Sequence, residues 1–346
     1  MNSGIKMSHL QLTLRCNLKC PFCGQWGEAG YAREHGPGKE MAPEKWLDII
    51  DQINALGHKP DFVLWGGEPL LYKGVDAVLN RIAFHGCRAA MVTNGALLAP
   101  HAEFLEKHLS TLYLSLDGVK EEHDKIRGSE GLHLKVEAGM GKLAGSKLKK
   151  ICLATINDKN WWMMRDIALY AQSLGFGLII FQNLIYNLPE DQKTYAEWLK
   201  RNFSISDIPD SWTFQGVPEF AAKLPAAYEE MEKRIENGEF KIKVEFRPKG
   251  LNSSNVKARM EGCLEPLPDS PAHCLAPERH INVAPDGNVR FCVDYNEFSL
   301  GSLEEHSLAE LLSSEKAGLF RREIAAGRNP SCKRCPWRHE KAYEID

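Results

Sequence analysis

The sequence contains no long apolar run, no internal repeat and no excess of charge of one sign. No stretch reaches the roughly 18 consecutive apolar residues of a membrane-spanning helix. The N-terminal segment MNSGIKMSHLQLTLR lacks the apolar core of a secretory signal peptide. A net charge of −3 over 346 residues gives no broad field that would attract nucleic acid or an anionic membrane. We therefore expect a cytoplasmic protein that binds neither nucleic acid nor membrane.

Cysteine, in contrast, is abundant, and most of it is clustered. The chain has ten cysteines, and seven of them fall into two groups. A disulfide framework does not fit a chain of this length without a signal peptide. Clustered thiols in a reducing compartment usually bind metal. The groups are Cys16, Cys20 and Cys23 near the start of the chain, and Cys274, Cys292, Cys332 and Cys335 near its end.

Between residues 9 and 183, short apolar runs typical of strands alternate with segments of helical periodicity. Six such βα units in succession predict an α/β fold with a parallel sheet. A polar or glycine-rich segment follows every predicted strand, which is where α/β barrels place their active sites. We therefore expect a partial (β/α)6 TIM-like barrel with one mouth. The predicted strands are 10–14, 61–65, 88–93, 111–116, 150–156 and 177–182.

The pattern divides the chain into three parts. Residues 8–190 form the predicted barrel. Residues 191–262 are a connector that we expect to recognise the substrate, with helices near 190–202 and 225–237 and a strand over 240–246. Residues 263–346 are a small α+β module with the second cysteine group. Modules of this size often need a metal because their core is thin.

The loop after the first predicted strand carries three thiols in the pattern C-x3-C-x2-C. Cysteine thiolates hold cubane iron–sulfur clusters, so three thiols leave one of the four irons open to a small molecule. A zinc knuckle that uses a histidine such as His35 is the alternative, but zinc sites usually combine two cysteine pairs. With Phe22 before its last cysteine, the segment resembles the signature of the radical S-adenosylmethionine (radical SAM) superfamily.

That resemblance implies a cofactor and a chemistry. S-adenosylmethionine would bind the open iron of a [4Fe–4S] cluster, and its reductive cleavage would give a 5′-deoxyadenosyl radical that abstracts a hydrogen atom from the substrate. The electron would come from a reducing partner such as flavodoxin or ferredoxin. Phe22 would pack near the adenine.

Residues at the other strand ends fit the same ligand. The GGEP segment, with Gly66, Gly67 and Glu68, resembles the family's motif for the amine of S-adenosylmethionine. Glycines allow close backbone approach, and a carboxylate accepts hydrogen bonds from an ammonium. A structural turn or cap is the alternative at each position, and Gln182 and Asn183 could face the adenosyl group or the substrate. Further predicted contacts are Asn94, Ser115 and Asp117 to the ribose, and Arg127 to the methionine carboxylate.

The second cysteine group surrounds a predicted hairpin with the turn PDG at 285–287. The pattern C-x12-G-x4-C followed by C-x2-C resembles the twitch module, a shortened form of the SPASM extension. This implies one auxiliary [4Fe–4S] cluster held by four thiols, and two clusters in all. A full SPASM extension would need further cysteines after Cys335, and the sequence ends at Asp346 without any. A structural zinc site is the alternative.

Three cysteines lie outside both groups. We expect Cys87 and Cys152 to be core residues. Cys263 precedes the module, and a thiol can give a hydrogen atom to a carbon radical, as in some radical SAM epimerases. A catalytic hydrogen-atom donor is therefore our hypothesis for Cys263, with an inert thiol or a substitute cluster ligand as alternatives.

Substrate class follows from the resemblance alone. Related SPASM and twitch enzymes mostly modify ribosomally made peptides by epimerisation, crosslinking or oxidation, and a minority oxidise small polar molecules such as aminoglycoside precursors. We favour a peptide, although no leader-binding domain precedes residue 10. A two-cluster electron carrier would not need polar motifs at a barrel mouth. A molybdenum-cofactor-type cyclase needs three thiols at its auxiliary cluster, where this module offers four.

Overall fold

The computed structural model describes residues 4–28, 30–33, 36–57, 59–206, 208, 213–263, 265–268, 270–341 and 345. His35, the histidine of the zinc alternative, lies outside the described residues. The strands are β1 (Met7–Thr13), β2 (Asp61–Gly66), β3 (Ala89–Thr93), β4 (Thr111–Ser115), β5 (Lys149–Ile156), β6 (Leu178–Asn183), β7 (Lys243–Arg247), β8 (His280–Val283), β9 (Asn288–Arg290) and β10 (Gly301–Ser302).

Helices cover the sheet and build most of the connector. Those of the barrel are α1 (Pro43–Ala55), α2 (Val75–Phe84), α3 (Leu98–His108), α4 (Glu121–Arg127), α5 (Leu132–Lys142) and α6 (Met164–Ser173). The later ones are α7 (Pro189–Phe203), α8 (Leu224–Glu236), α9 (Val256–Met260), α10 (Ala276–Arg279), α11 (Leu308–Ser313) and α12 (Glu315–Ala325). Short 3-10 helices span Pro69–Leu71, Glu219–Ala222, Pro330–Arg334 and Pro336–His339. Within the described ranges, no helix is both long and apolar enough to cross a membrane.

All strands belong to one sheet, in the order β10-β9-β8-β1-β2-β3-β4-β5-β6-β7. Strands β1 to β6 pair in parallel and in chain order, which confirms the partial barrel. Every residue of β1 is buried, as expected for a parallel strand covered on both faces.

The sheet extends beyond the six predicted strands at both edges. On one side, β7 of the connector pairs in parallel with β6. On the other side, β8 of the C-terminal module pairs in parallel with β1, with Met7 opposite His280. Both additions satisfy the backbone N–H and C=O groups that an open sheet leaves unpaired. The division of the chain at residues 190 and 262 stays a prediction.

Helix α1 shows how the barrel core forms. Pro43 occupies its first turn, where a missing N–H costs no hydrogen bond. Trp46, Ile49, Ile50 and Ile53 recur at helical spacing and are buried against the sheet, each 0% exposed. Burial of one such side chain stabilises the fold by about 1.5–3 kcal/mol, so this stripe fixes α1 on the sheet.

The C-terminal module contains the predicted hairpin. Strands β8 and β9 pair antiparallel, and Gly287 in the turn has φ +85°, a conformation that favours glycine. The helices of the module were not predicted. Ser307 and Glu310 form a reciprocal capping box at the start of α11, and the Ser-x-x-Glu spacing is a sequence signal for it.

Candidate active site at the barrel mouth

A cavity of about 260 Å³ lies at the carboxyl ends of the barrel strands. The loop after the first predicted strand and the carboxyl ends of the other five contribute to its wall, so these strand ends share one cavity as predicted. The C-terminal module contributes as well. The wall includes the cysteine loop after β1, then Gly66, Gly67, Thr93, Asn94, Ser115, Thr155 and Gln182 at the ends of β2 to β6, and Val293, Asp294 and Asn296 from the module.

The three thiols of the N-terminal group all line this cavity. The loop is held by backbone hydrogen bonds from Cys23 to Cys20 at 3.0 Å and from Gly27 to Cys23 at 2.7 Å. Burial raises the pKa of Cys16, and burial together with the neighbouring thiol charges raises the pKa of Cys20 to about 11. Metal binding requires thiolates, so one buried and two half-buried thiols beside the same cavity fit a cationic iron core.

Gly66 and Gly67 allow two strand ends to touch. Gly67 N–H donates to the Thr13 carbonyl at 2.8 Å, and Glu68 N–H donates to the Arg15 carbonyl at 2.8 Å. A Cβ atom on either glycine would collide with one of these carbonyl oxygens. The glycines are therefore required by a contact within the protein, between the backbone after β2 and the backbone at the end of β1. Both glycines also line the cavity, and their contact with a ligand stays a prediction.

The carboxylate of Glu68 lies behind the cavity wall. It is 0% exposed and accepts hydrogen bonds from Leu70 N–H, Asn94 N–H and the Thr93 hydroxyl at 2.9–3.2 Å. Burial raises the pKa of Glu68 to about 7, although these donors oppose the rise. In this structure Glu68 ties the end of β2 to β3, and its predicted bond to an ammonium is a prediction still.

Asp117 and Arg127 form a buried ion pair. Arg127 Nε donates to Asp117 Oδ2 at 2.8 Å, and Thr155 N–H donates to Asp117 Oδ1 at 2.8 Å. Asp117 is 0% exposed and lies outside the cavity wall, whereas Arg127 lines it with its guanidinium 5.8 Å from the Phe22 ring. The geometry thus makes Asp117 the support of Arg127 and gives no direct path from Asp117 to a ribose.

Of the other predicted ribose contacts, Asn94 and Ser115 both line the cavity. Asn94 Nδ2 donates to Asn17 Oδ1 at 2.9 Å and lies 3.8 Å from the Cys16 sulfur. Hydrogen bonds to cluster sulfurs are one way in which proteins tune such clusters. Gln182 lines the cavity as well, whereas Asn183 faces away and accepts a hydrogen bond from Tyr228 at 2.9 Å.

The second cysteine group converges as predicted. Cys274, Cys292, Cys332 and Cys335 line one small apolar cavity of about 30 Å³. Burial raises the pKa of each of the last three thiols, that of Cys332 to about 12, and the thiol charges add to the rise. Among the described residues, no three His, Cys, Asp or Glu side chains lie close enough to share one metal ion. The four thiols surround a space, and a cubane with one thiolate per iron suits that arrangement.

Cys263 lines neither of the two cavities. Its carbonyl accepts a hydrogen bond from Arg259 Nη1 at 2.6 Å. Proximity therefore gives its predicted role as a hydrogen-atom donor no support. Cys152 is fully buried, which confirms it as a core residue, and the half-buried Cys87 packs against the same core.

Asp294 lies between the two cavities, and its place in the site was not predicted from the sequence. Its side chain lines the mouth cavity, and its Oδ2 lies 3.9 Å from the Cys335 sulfur. Burial raises the pKa of Asp294 to about 7. The signal in the sequence is the polar segment CVDYN directly after the hairpin, but its meaning depends on the pairing of β8 with β1. Other wall residues were missed as well, among them Gln25, Tyr31, Trp65 and Asn296.

Two protein-family models match the chain. The Radical SAM superfamily model covers residues 10–171, and the SPASM model, an iron–sulfur cluster-binding domain, covers residues 274–336. The chain therefore contains a radical SAM domain. Its C-terminal module is a SPASM-type domain, and the two matched ranges contain the two groups of cysteines.

Curated relatives differ in what they do. The Fe-coproporphyrin III synthase of Methanosarcina barkeri (strain Fusaro) is 26% identical over 94% of this chain and 79% of its own length. SkfB, a sporulation killing factor maturation protein of Bacillus subtilis (strain 168), is 29% identical over 50% of this chain and 40% of its own. A probable GTP 3′,8-cyclase of Aeropyrum pernix is 32% identical over 51% of each. The chain thus spans about half of the length of the cyclase and less than half of the length of SkfB.

Solved structures share the fold. Streptococcus suis SuiB bound to the precursor peptide SuiA superposes with a TM-score of 0.66 at 14% identity, over 99% of this chain and 76% of SuiB. The enzyme anSMEcpe with bound AdoMet and the Cp18Cys peptide superposes with a TM-score of 0.65 at 18% identity, over 99% of this chain and 93% of that one. At these identities the likeness establishes the partial barrel with its C-terminal module.

Proposed function

We propose that this protein is a radical SAM enzyme that abstracts a hydrogen atom from a ribosomally made peptide bound at the barrel mouth. One observation carries the proposal: three cysteines of a single loop and Asp294 of the module line the same cavity. A reacting group held there would touch the cofactor site on one side and the module on the other.

The cavity wall supplies the cofactor site. Cys16, Cys20 and Cys23 would hold a [4Fe–4S] cluster, and Phe22, Gly66, Gly67, Asn94, Ser115 and Arg127 would contact S-adenosylmethionine. When bound, this pair supplies a 5′-deoxyadenosyl radical by reductive cleavage. Glu68 and Asp117, which lie behind the wall, hold Asn94 and Arg127 in place.

The module supplies the second cluster site. Cys274, Cys292, Cys332 and Cys335 would hold an auxiliary [4Fe–4S] cluster. Asp294 would face the substrate from the module side and accept a hydrogen bond from a peptide N–H or an amine. Because the same carboxylate approaches Cys335, the module contacts both the substrate and its own cluster.

A peptide substrate is favoured by the relatives. SkfB is a maturation protein, and both SuiB and anSMEcpe have been crystallised with peptides. A tetrapyrrole is the second candidate, because the Fe-coproporphyrin III synthase aligns along nearly the whole chain. A small polar amine such as an aminoglycoside precursor is the third, because Asp294 is the one acidic side chain among the described wall residues.

The test is anaerobic reconstitution followed by chemical reduction in the presence of S-adenosylmethionine. We expect about eight irons per chain from two cubane clusters, and release of 5′-deoxyadenosine. The matched control replaces Cys16, Cys20 and Cys23 by alanine, which should halve the iron and abolish the release. The proposal fails if wild type and control release the nucleoside equally or not at all.

Substrate class is tested with deuterated candidates. Transfer of deuterium from a peptide into 5′-deoxyadenosine supports the peptide proposal. Transfer from coproporphyrin or from an aminocyclitol, with none from peptides, would move the assignment to that class.

A further inference from the structure

A buried arginine of the connector lies against the auxiliary cysteines. Arg259 belongs to α9 and is 5% exposed. Met260, the next residue of α9, accepts a hydrogen bond at its carbonyl from Arg334 Nε at 2.8 Å, and Arg334 directly precedes Cys335. Helix α9 therefore packs against the 3-10 helix that carries Cys332, and the charge of Arg259 interacts with the Cys335 thiol.

The hydrogen-bond partners of Arg259 among the described residues are neutral. Its Nη1 donates to the Cys263 carbonyl at 2.6 Å, and its Nη2 faces His339 Nε2. His339 Nδ1 lies 2.7 Å from the Ser270 hydroxyl, and burial lowers the pKa of His339 to about 3, which keeps the ring uncharged. The Nε atom is buried without a hydrogen-bond partner, and no carboxylate of the described chain forms an ion pair with Arg259.

A buried charge without a counter-charge is expensive, so proteins pair such groups. Four thiolates outweigh the positive core of a cubane, so the ligated cluster is an anion, and reduction adds a further negative charge. A cation beside the cluster stabilises the reduced form more than the oxidised form and raises the reduction potential. We propose that Arg259 is the counter-charge of the auxiliary cluster and sets its reduction potential.

Two neighbours act on the same cluster site. Arg338, whose Nε is also buried without a hydrogen-bond partner among the described residues, carries a charge that opposes the rise in the pKa of Cys332 caused by burial. Asp294, whose Oδ2 lies 3.9 Å from the Cys335 sulfur, carries the opposite charge to both arginines. Arg259 differs from both because it comes from the connector. It therefore couples the segment between the two matched domains to the auxiliary cluster. This inference depends on the auxiliary cluster of the proposed function.

The test measures the midpoint potential of the auxiliary cluster alone. In a full chain with Cys16, Cys20 and Cys23 replaced by alanine, the remaining iron belongs to that cluster and should amount to about four atoms per chain. Arg259→Met, which removes the charge and keeps the length, should lower the reduced-to-oxidised ratio at a fixed potential about tenfold. For one electron this is a shift of about 59 mV to more negative values, read by EPR during a redox titration.

Two further variants separate charge from packing. Arg259→Lys keeps the charge, so its reduced-to-oxidised ratio should stay within about threefold of that of the parent. On a logarithmic scale this bound is half of the tenfold effect expected for Arg259→Met. Arg234→Met removes an arginine that pairs with Glu230 and Glu239 on the surface of α8, and it should leave the potential unchanged.

The iron content and the potential of these variants together decide whether Arg259 is the counter-charge of the cluster. An unchanged potential in Arg259→Met with its iron intact overturns the inference. If Arg259→Met loses the iron while Arg259→Lys keeps it, the counter-charge is supported. Loss of iron in both variants shows a packing role and overturns the inference. If the parent itself binds no auxiliary iron, the proposed cluster site fails first, and the iron count alone shows this.

Discussion

The buried pair of Asp117 and Arg127 should carry a measurable share of the stability of the barrel mouth. Their side chains are 0% and 10% exposed, and Arg127 Nη2 lies 2.7 Å from Asp117 Oδ2. Asp117→Asn removes the negative charge and keeps an oxygen that can accept from Thr155 N–H. Arg127 then becomes a buried charge without a counter-charge, and breaking a buried pair from one side costs about 3–5 kcal/mol.

The assay is equilibrium unfolding of metal-free protein in urea under anaerobic, reducing conditions. We expect Asp117→Asn to lower the free energy of unfolding by about 3–5 kcal/mol. Adding Arg127→Met should recover part of this loss, because the unpaired charge is gone. The control Glu230→Gln breaks the exposed pair with Arg234 and should cost less than about 1 kcal/mol. A loss that small in Asp117→Asn would refute the buried, mutually dependent pair.

Three further predictions concern the glycine contact, a histidine pair and the second cluster. Gly67→Ala should prevent assembly of the first cluster, measured as iron per chain, whereas Gly141→Ala in α5, where a Cβ meets nothing within 4 Å, should stabilise the fold by about 0.5–1 kcal/mol. His9 and His280 bond to each other at 2.6 Å, and burial lowers the pKa of both, that of His280 to about 4. Below about pH 6.5 the histidines therefore bind protons in the unfolded chain but not in the folded pair. The free energy of unfolding then falls toward pH 4, by up to about 1.4 kcal/mol per pH unit for each histidine. Urea unfolding at pH 7 and 5 should show a shallower loss in His9→Gln/His280→Gln, and an equal loss would contradict the assignment. Cys332→Ala should halve the iron and keep reductive release of 5′-deoxyadenosine, and unchanged iron would contradict its place in the auxiliary site.

The strands of the barrel were predictable because their apolar runs are bounded by polar turns. Strand β5 begins one residue from its predicted start and ends where predicted. The start of β1 was placed three residues too late, at 10 instead of Met7. Ser8 and His9 are polar yet buried in that strand, so the sequence shows no apolar run there. The His9 ring bonds to His280, which lies 271 positions later in the chain.

In the candidate site, too, local motifs were predictable from the sequence and long-range contacts were not. Residues of contiguous motifs, such as the three cysteines of the first loop, were predicted and line the cavity. Glu68 and Asp117 belong to such motifs too, but their carboxylates are engaged by backbone and side-chain donors that the sequence does not reveal. Asp294 and Arg259 reach their places through strand and helix contacts between distant segments. Composition and spacing carry no signal for contacts of that kind.

Strand β1 explains how one chain keeps two cysteine groups at a fixed separation. Its carboxyl end leads into the loop of Cys16, and its free edge pairs with β8 in parallel. The hairpin of β8 and β9 then delivers Cys292 to one cavity and Asp294 to the other. Strand pairing, and not the length of the connector, therefore sets the distance between the groups. The connector also contacts the module directly at α9, where Arg259 donates to the Cys263 carbonyl and bonds to His339.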